Sequence, residues 1–398
     1  MSQSPMPRVA YFPDSFHEVN GVAHTSRNFA AFARRRQMPF LCVRAGAAAA
    51  LECASEQWSL ELKRSWASVA LERDLYFDAL FPRYAGLIES TLERFQPEVL
   101  HVTGPSELGI FGAYFAWKRN IPLVASWHTN VHEYAARRMR WFSRHLGEVG
   151  GELESSVEAG VLNAVTRFYR LAKVLYAPNP QLCSLLEQKT GTRCCLMQRG
   201  VETELFTPAK RRRSDAVPVL GYVGRLSVEK NVVLLPQIAS QLKAMGVEVR
   251  FCIIGHGVEE ALLRATMPEG TEFPGVLRGE ALAEAYASMD LFVFPSHTDT
   301  FGNVVLEALA SGVPAVVTPT GGPAHIVREG ETGFVAEDAQ FATRIAALLR
   351  EPAVLQTMRE SARAYALSQS WDAVFERVVA EYPCRPQGPS RTPAPLQG

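Results

Sequence analysis

The 398-residue sequence predicts an α/β protein built from two doubly wound domains with parallel sheets. Three observations predict it. Short apolar runs alternate with helical patterns along nearly the whole chain, as strand–helix–strand units require. The alternation stops once, at the charged, aperiodic "AKRRRSDAVP" (209–218), and then begins again. No repeat of solenoid length and no run of 18 apolar residues offers another architecture.

Taken in order, "RVAYFP" reads as a strand, "AHTSRNFAAFARRRQ" as a helix and "PFLCVRA" as a strand. "LYFDALFPRYAGLIESTLERF" reads as a helix and "PEVLHVTG" as a strand. "LGIFGAYFAWKRN" is the next helix and "IPLVASWHT" the next strand. The pattern continues through "VLYAPNPQLCSLLEQKTG" to "CCLMQRGVETELFTP". The second series has "VLGYVGR", "VRFCIIGHG", "LFVFPS", "PAVVTPT" and "TGFVAED" as strands with helices between them. The expected boundaries are a disordered N-terminus over 1–7, a first domain over 8–200, a solvated linker over 201–217 and a second domain over 218–368. A final helix follows over 369–382, with a Pro-, Gly- and Ser-rich disordered tail over 383–398.

Composition narrows the function classes. The formal net charge is zero, with 23 Lys/Arg against 18 Asp/Glu in residues 1–200 and 18 against 23 in 201–398. That asymmetry is too mild for a nucleic-acid protein, yet it lets the first half face something anionic. The seven cysteines form no CxxC pair and sit mostly among apolar neighbours, as thiols do in a reducing cytosol. "MSQSPMPRVAYF" lacks the apolar core of a signal peptide, so the expected location is cytoplasmic.

Ligands of open α/β sheets bind at the carboxyl ends of strands, so residues there carry the functional argument. "GYVGRLSVEKN" places Arg225 after a strand, Ser227 as a helix cap and Lys230 in the first turn. Two cations at a helix N-terminus oppose its dipole unless an anion is shared, and a diphosphate would suit them. The alternative is two solvated side chains. "IIGHGVEEALL" has only a lone Gly-x-Gly and no third glycine, a weak dinucleotide signal. "FPSHTDTFGN" opens a helix with Gly302 allowing close backbone approach. Asp299 and Glu307 flank it; along a helix they would stand about 12 Å apart, too far to share one scissile bond. A charged Glu307 on an apolar stripe either meets a polar ligand or marks a wet helix edge.

These residues resemble the retaining glycosyltransferases of GT-B type, family 4, whose signature is E-x7-E followed by "ASGxPVV…GG". Here it is Asp299-x7-Glu307 followed by "ALASGVPAVVTPTGG", and the resemblance runs from about Pro7 to Tyr382. The nearest branches are mannosyl- and glucosyltransferases acting on lipids or polyols. The resemblance implies two Rossmann-like domains facing across a cleft, with the last helix crossing back to the first domain. It implies that Arg225 and Lys230 bind the donor diphosphate and that Glu307 accepts hydrogen bonds from the ribose. Asp299, Phe301, Gly302 and Asn303 would contact the donor sugar, with Val304 beside them. Asp299 departs from the more usual Glu and is shorter by one methylene.

In the first domain, Asn20-Gly21 resembles the family's "NGV" loop near the diphosphate and acceptor. His24 in the following turn is either cleft-facing or simply exposed. His128, past a strand, has alternatives as a zinc pair with His132 or a structural histidine; the resemblance makes it a donor-sugar contact. Arg137, Arg138, Arg140 and Trp141 form either a solvated basic helix or a surface for anionic lipid. The backbone at Gly275, Val276 and Leu277 is expected to line the base pocket.

The resulting expectation is a retaining hexosyltransferase moving mannose or glucose from a GDP- or UDP-sugar to a lipid, polyol or glycan hydroxyl. Its expected catalytic residues are His128, Asp299, Arg225 and Lys230, with no required metal or other cofactor and no nucleic-acid partner. Peripheral attachment to the inner face of an anionic membrane is the open refinement. Two alternatives stand beside it: a sugar-nucleotide epimerase on the same two-domain plan, and an inactive nucleotide-sugar-binding subunit.

Overall fold

A computed structural model of the chain describes residues 6–18, 21–66, 68–72, 75–78, 80–127, 163–213, 216–299 and 301–383. The chain divides into two compact units, residues 1–198 with 375–398, and residues 199–374.

Unit one contains strands β1 (Val9–Phe12), β2 (Phe40–Gly46), β3 (Ala50–Ala54), β4 (Gln57–Lys63), β5 (Ser68–Glu72), β6 (Leu75–Asp78), β7 (Val99–Val102), β8 (Leu123–Ser126), β9 (Val174–Ala177) and β10 (Cys194–Leu196). Its helices include α1 (Gly21–Arg35), α2 (Ala85–Phe95), α3 (Glu107–Lys118) and α4 (Pro180–Thr190). Eight strands form one sheet in the order β10-β9-β8-β7-β1-β2-β4-β3, parallel except where β3 meets β4. Strands β1, β7, β8 and β9 are buried throughout, which explains their unbroken apolar runs. Local chemistry sets the helix ends. The Ser106 hydroxyl accepts from Gly109 N to cap α3, and Asn179 caps α4 ahead of Pro180. Gly191, at φ 71°, closes α4 in the left-handed conformation.

Two differences from the sequence reading appear here. The helix expected over 75–95 begins only at Ala85, after β6 and a 3₁₀ turn at Phe81–Tyr84. The Asp78 carboxylate, which accepts from Ser65 and Leu80 backbone N–H groups, fixes the bend. The antiparallel pairs β3–β4 and β5–β6 went unread, because β3 and β5 run for only five residues and the apolar start of β6 reads on into the helix pattern that follows.

Unit two contains β11 (Val219–Val223), β12 (Arg250–Ile254), β13 (Glu272–Gly275), β14 (Leu291–Phe294), β15 (Ala315–Val317) and β16 (Gly333–Val335) in one wholly parallel sheet. Its helices are α5 (Leu234–Ala244), α6 (Glu260–Thr266), α7 (Gly279–Ala287), α8 (Asn303–Ala310), α9 (Phe341–Leu349) and α10 (Pro352–Ser368). The strand order is β13-β12-β11-β14-β15-β16. The chain therefore leaves β11 toward one edge and returns to β14 on its other side. The crevice between the carboxyl ends of β11 and β14 is the switch point where such sheets bind ligands.

The final helix, α11 (Trp371–Ala380), begins in unit two and passes into unit one at Phe375. Phe375 stacks on Phe29 with ring centroids 4.5 Å apart. Tyr176 donates to Val378 O at 2.9 Å, and buried His101 holds the Tyr382 hydroxyl at 2.6 Å and Ser126 Oγ at 3.0 Å.

The segment 201–217, expected as a solvated linker, is instead fastened to unit two. Thr203 and Phe206 are buried, and Arg363 donates to the carbonyls of both. Arg211, Arg213 and Arg359 converge on the buried Asp290 carboxylate, which also accepts from Val219 N. Removing one member of a buried charge cluster strands the others. Asp290→Ala is therefore expected to lower unfolding free energy by about 3–5 kcal/mol, read from chemical denaturation, with detachment of this segment visible as new protease sensitivity.

Candidate active site

A cavity of about 320 Å³ opens at the switch point of unit two. Val223 and Gly224 at the end of β11 and Phe294 at the end of β14 form its floor. Lys230, Asp299, Phe301, Gly302, Asn303 and Val304 line it, and so does Arg199. Six of the expected donor-binding residues are thus brought to one place.

Lys230 arrives there on a 3₁₀ turn, Val228–Lys230, rather than in the first turn of a helix. Asn231 follows in the left-handed conformation at φ 52°, and α5 starts only at Leu234. The turn aims the Lys230 ammonium at Asp299, with Nζ 2.8 Å from Oδ2. Asp299 is held by its backbone, since Gly322 N donates to its carbonyl at 2.7 Å. A Cβ on Gly321, at φ 79°, would fall 2.7 Å from that same carbonyl, so the paired glycines let two strand-end loops touch.

The helix α8 begins at Asn303, with Gly302 as its cap residue at φ 91° and no side-chain cap. Its N-terminus is a partial positive charge beside the Lys230 cation. The Asn303 Oδ1 atom is buried without a hydrogen-bond partner among the described residues, a group that calls for a donor from a ligand. One turn along the same face stands Glu307, accepting from the Tyr286 hydroxyl at 3.0 Å. Burial pushes its carboxyl up to about 7, with the charge of Glu202 adding to the effect and the Tyr286 hydrogen bond opposing it.

Other expected residues lie elsewhere. Arg225 does not line the cavity; it is exposed and pairs with Glu229 at 3.6 Å. At Gly275 (φ 76°) an added Cβ would meet nothing, so backbone conformation alone requires glycine there. Val276 is exposed and Leu277 packs against the core. In unit one, Gly21 opens α1, and His24 is partly buried with its ring 3.2 Å from Asn28 Nδ2. Asn20, His128, Arg137, Arg138, Arg140 and Trp141 fall outside the described residues. The lone Gly-x-Gly is packing rather than ligand chemistry, because a Cβ on Gly255 would lie 1.8 Å from Gly224 O and one on Gly257 2.1 Å from Leu226 O. Among the described residues no group of three or more His, Cys, Asp or Glu is placed to hold a metal.

Sequence reasoning missed Arg199, whose only local signal is a cation before Gly200 just past a strand. It also missed a polar network behind Asp299. The His297 ring contacts Thr320 Oγ1 at 2.8 Å and Asp338 at 3.1 Å, and Asn231 Nδ2 donates to Asp338 at 3.0 Å. This ties the Lys230 turn to three other strand-end loops.

Comparison with known proteins places this arrangement. Residues 19–205 match the profile of Glycosyltransferase Family 4, and residues 217–351 that of Glycosyl transferases group 1. A GDP-mannose-dependent alpha-mannosyltransferase of Mycobacterium tuberculosis (strain CDC 1551 / Oshkosh) is 32% identical over 310 residues, covering 73% of this chain and 74% of that one. The chain belongs to the group 1, family 4 glycosyltransferases. A glycosyltransferase from Rickettsia africae ESF-5 has the same fold, with a TM-score of 0.64 at 13% identity over 94% of this chain and 97% of that one. So does Anabaena HepE in complex with UDP, with a TM-score of 0.63 at 15% identity over 94% and 98%. The GT-B expectation therefore holds for this glycosyltransferase, as does hexosyl transfer from a nucleotide sugar. The epimerase alternative has no support in these likenesses.

The raised carboxyl of Glu307 gives this glycosyltransferase a testable pH dependence. A native pKa near 7 against an ordinary 4.5 means that the folded state binds the proton more tightly than the unfolded one. The carboxyl should cost no stability below about pH 4.5, an increasing amount as pH rises to 7, and on the order of 3 kcal/mol above it. Glu307→Gln should accordingly raise the melting temperature of the unliganded protein at pH 8 and leave it nearly unchanged at pH 4.5. Equal effects at both pH values would show that the fold does not raise the Glu307 carboxyl.

Proposed function

We propose that the chain is a retaining, metal-independent mannosyltransferase that uses GDP-mannose and an acceptor hydroxyl carried by a lipid, polyol or glycan. The observation that carries the reading is the meeting of Lys230, Asp299 and the uncapped α8 N-terminus at the switch-point cavity. The mannose donor is inferred from the mycobacterial relative named above.

In the proposed reaction the bond between the sugar's anomeric carbon and the diphosphate oxygen breaks. A bond to the acceptor oxygen forms on the same face, and the acceptor proton passes to the leaving diphosphate. Negative charge grows on that diphosphate, and Lys230 with the α8 N–H groups would stabilise it without reorganisation. A diphosphate competes with Asp299 for Lys230, leaving the Asp299 carboxylate to accept from sugar hydroxyls. Phe301 and Gly302 shape the sugar subsite, and Asn303 Oδ1 gains the donor it lacks. Arg199 is positioned to share the diphosphate charge; Arg225 would join only by leaving Glu229. Family resemblance assigns Gly21 to the donor diphosphate and His128 to the donor sugar, and His24 is assigned to the acceptor side. A cytoplasmic location is part of this proposal. No described helix is long and apolar enough to cross a membrane.

The decisive experiment is thermal stabilisation by GDP, UDP and their mannose and glucose conjugates. GDP and GDP-mannose should raise the melting temperature, corresponding to about 2.7 kcal/mol at a hundredfold excess over Kd. A shift with UDP alone would replace the donor, and no shift with either nucleotide in folded protein would sink the reading. Lys230→Ala should abolish the shift and lower kcat/KM for mannosyl transfer by on the order of 10²–10³.

Donor affinity should also depend on pH, because an ionised Glu307 accepts from ribose hydroxyls more strongly than its protonated form. With its carboxyl at about 7, affinity is expected to rise from pH 5 to about 7.5 and then level off. Calorimetric titration across that range checks it, and Glu307→Gln should bind more weakly with a flat profile.

A further inference from the structure

The helix α3 has a property that folding of unit one does not use. Its sequence, ELGIFGAYFAWK, is apolar on both faces, a pattern expected of a helix buried all round. Leu108, Phe115 and Ala116 do face the core. On the opposite side Ile110, Tyr114 and Trp117, spaced to form one stripe, are 51%, 46% and 79% exposed. Across a groove of about 570 Å³ stands Leu171, 60% exposed. Among the residues lining that groove only Asn120 and Lys173 have polar tips other than the Tyr114 hydroxyl and the Trp117 indole N–H, and none is acidic.

Charge decides what such a face fits. Residues 163–173 carry Arg167, Arg170 and Lys173 and no acid. Arg167 and Lys173 are exposed, and Arg170 donates to a backbone carbonyl, that of Lys189, which leaves its charge in place. At the end of α3, Lys118 and Arg119 are paired with Glu89 and Glu93, so they add little. The surface is thus an apolar, aromatic stripe with a cationic border. Trp and Tyr favour the headgroup level of a bilayer, and Lys and Arg at its edge favour anionic headgroups.

We propose that the outward stripe of α3, together with residues 163–173, docks on an anionic lipid bilayer. Trp117, Tyr114 and Leu171 enter the headgroup–acyl boundary, and Arg167 and Lys173 meet lipid phosphates. These residues are not those of Arg137–Trp141, which the sequence offered either as a solvated basic helix or as a lipid-facing surface and which fall outside the described residues. The inference does not depend on the donor assignment.

The test is flotation of the full chain with phosphatidylcholine vesicles, with and without phosphatidylglycerol. Binding is expected only with phosphatidylglycerol and should weaken as salt rises. Trp117→Asp combined with Leu171→Asp should remove most of the bound fraction. Arg167→Glu combined with Lys173→Glu, which touches no core residue, should weaken binding by at least about fivefold. Both variants should keep the wild-type melting temperature and nucleotide shift, which separates loss of docking from loss of fold or of the donor site. The proposal is overturned if wild-type protein floats with neither vesicle, or if both variants float as well as wild type. Self-association that Trp117→Asp abolishes, without vesicle binding, would overturn it too and make the face a protein contact.

Discussion

The chemistry of this glycosyltransferase depends on one constraint, a parallel ladder whose first strand lies in the middle. In unit two every strand runs the same way, so all six carboxyl ends meet at one rim. Strands buried on both faces leave no room for polar chemistry along their length. Because β11 is internal, the connections after β11 and β14 leave in opposite directions and part over a crevice. Lys230, Asp299 and the start of α8 hang from those connections, and their meeting follows from strand order more than from any attraction among them.

In that crevice, and at Glu307 one turn beyond it along α8, the polar groups are arranged ahead of any ligand. Lys230 and Asp299 neutralise one another, which keeps a partly buried cation and a partly buried carboxylate tolerable together. Glu307 has a tyrosine hydroxyl rather than a cation, and its carboxyl responds by holding its proton. Asn303 keeps an oxygen with nothing described to satisfy it. Stability is given up at Glu307 and at Asn303, a pattern typical of sites that recover the loss on binding. The network through His297, Asn231 and Asp338 stiffens the loops that bear these groups.

Much of this was legible in the sequence because the relevant forces are local. Buried parallel strands announce themselves as unbroken apolar runs, and Gly302 and Gly321 stand where left-handed or tightly packed backbone is required. Asp299 and Glu307 were conspicuous because an acid beside or within an apolar stripe needs a reason. What was not legible rests on long-range contacts. Arg211 and Arg213 read as solvated until Asp290, more than seventy residues away, draws them in. Arg225 looks like a partner of Lys230 along the chain, yet a 3₁₀ turn separates their directions. Arg199 has no periodic context at all, β3 and β5 are short, and β6 reads on into the helix pattern that follows it.

The passage of α11 from one unit into the other makes the first-synthesised part of the chain dependent on the last. His101 pairs with Tyr382 across 281 residues, and Phe29 stacks on Phe375 in the same core. A nascent unit one emerges with that seam open, its aromatic side chains lacking their final cover. At roughly 5–20 residues per second the wait lasts on the order of 10–40 s, long enough for chaperones to engage it. Truncation near the C-terminus would then damage the half of the protein made first, and a stalled ribosome would hold a half-closed fold in view of the cell's quality control.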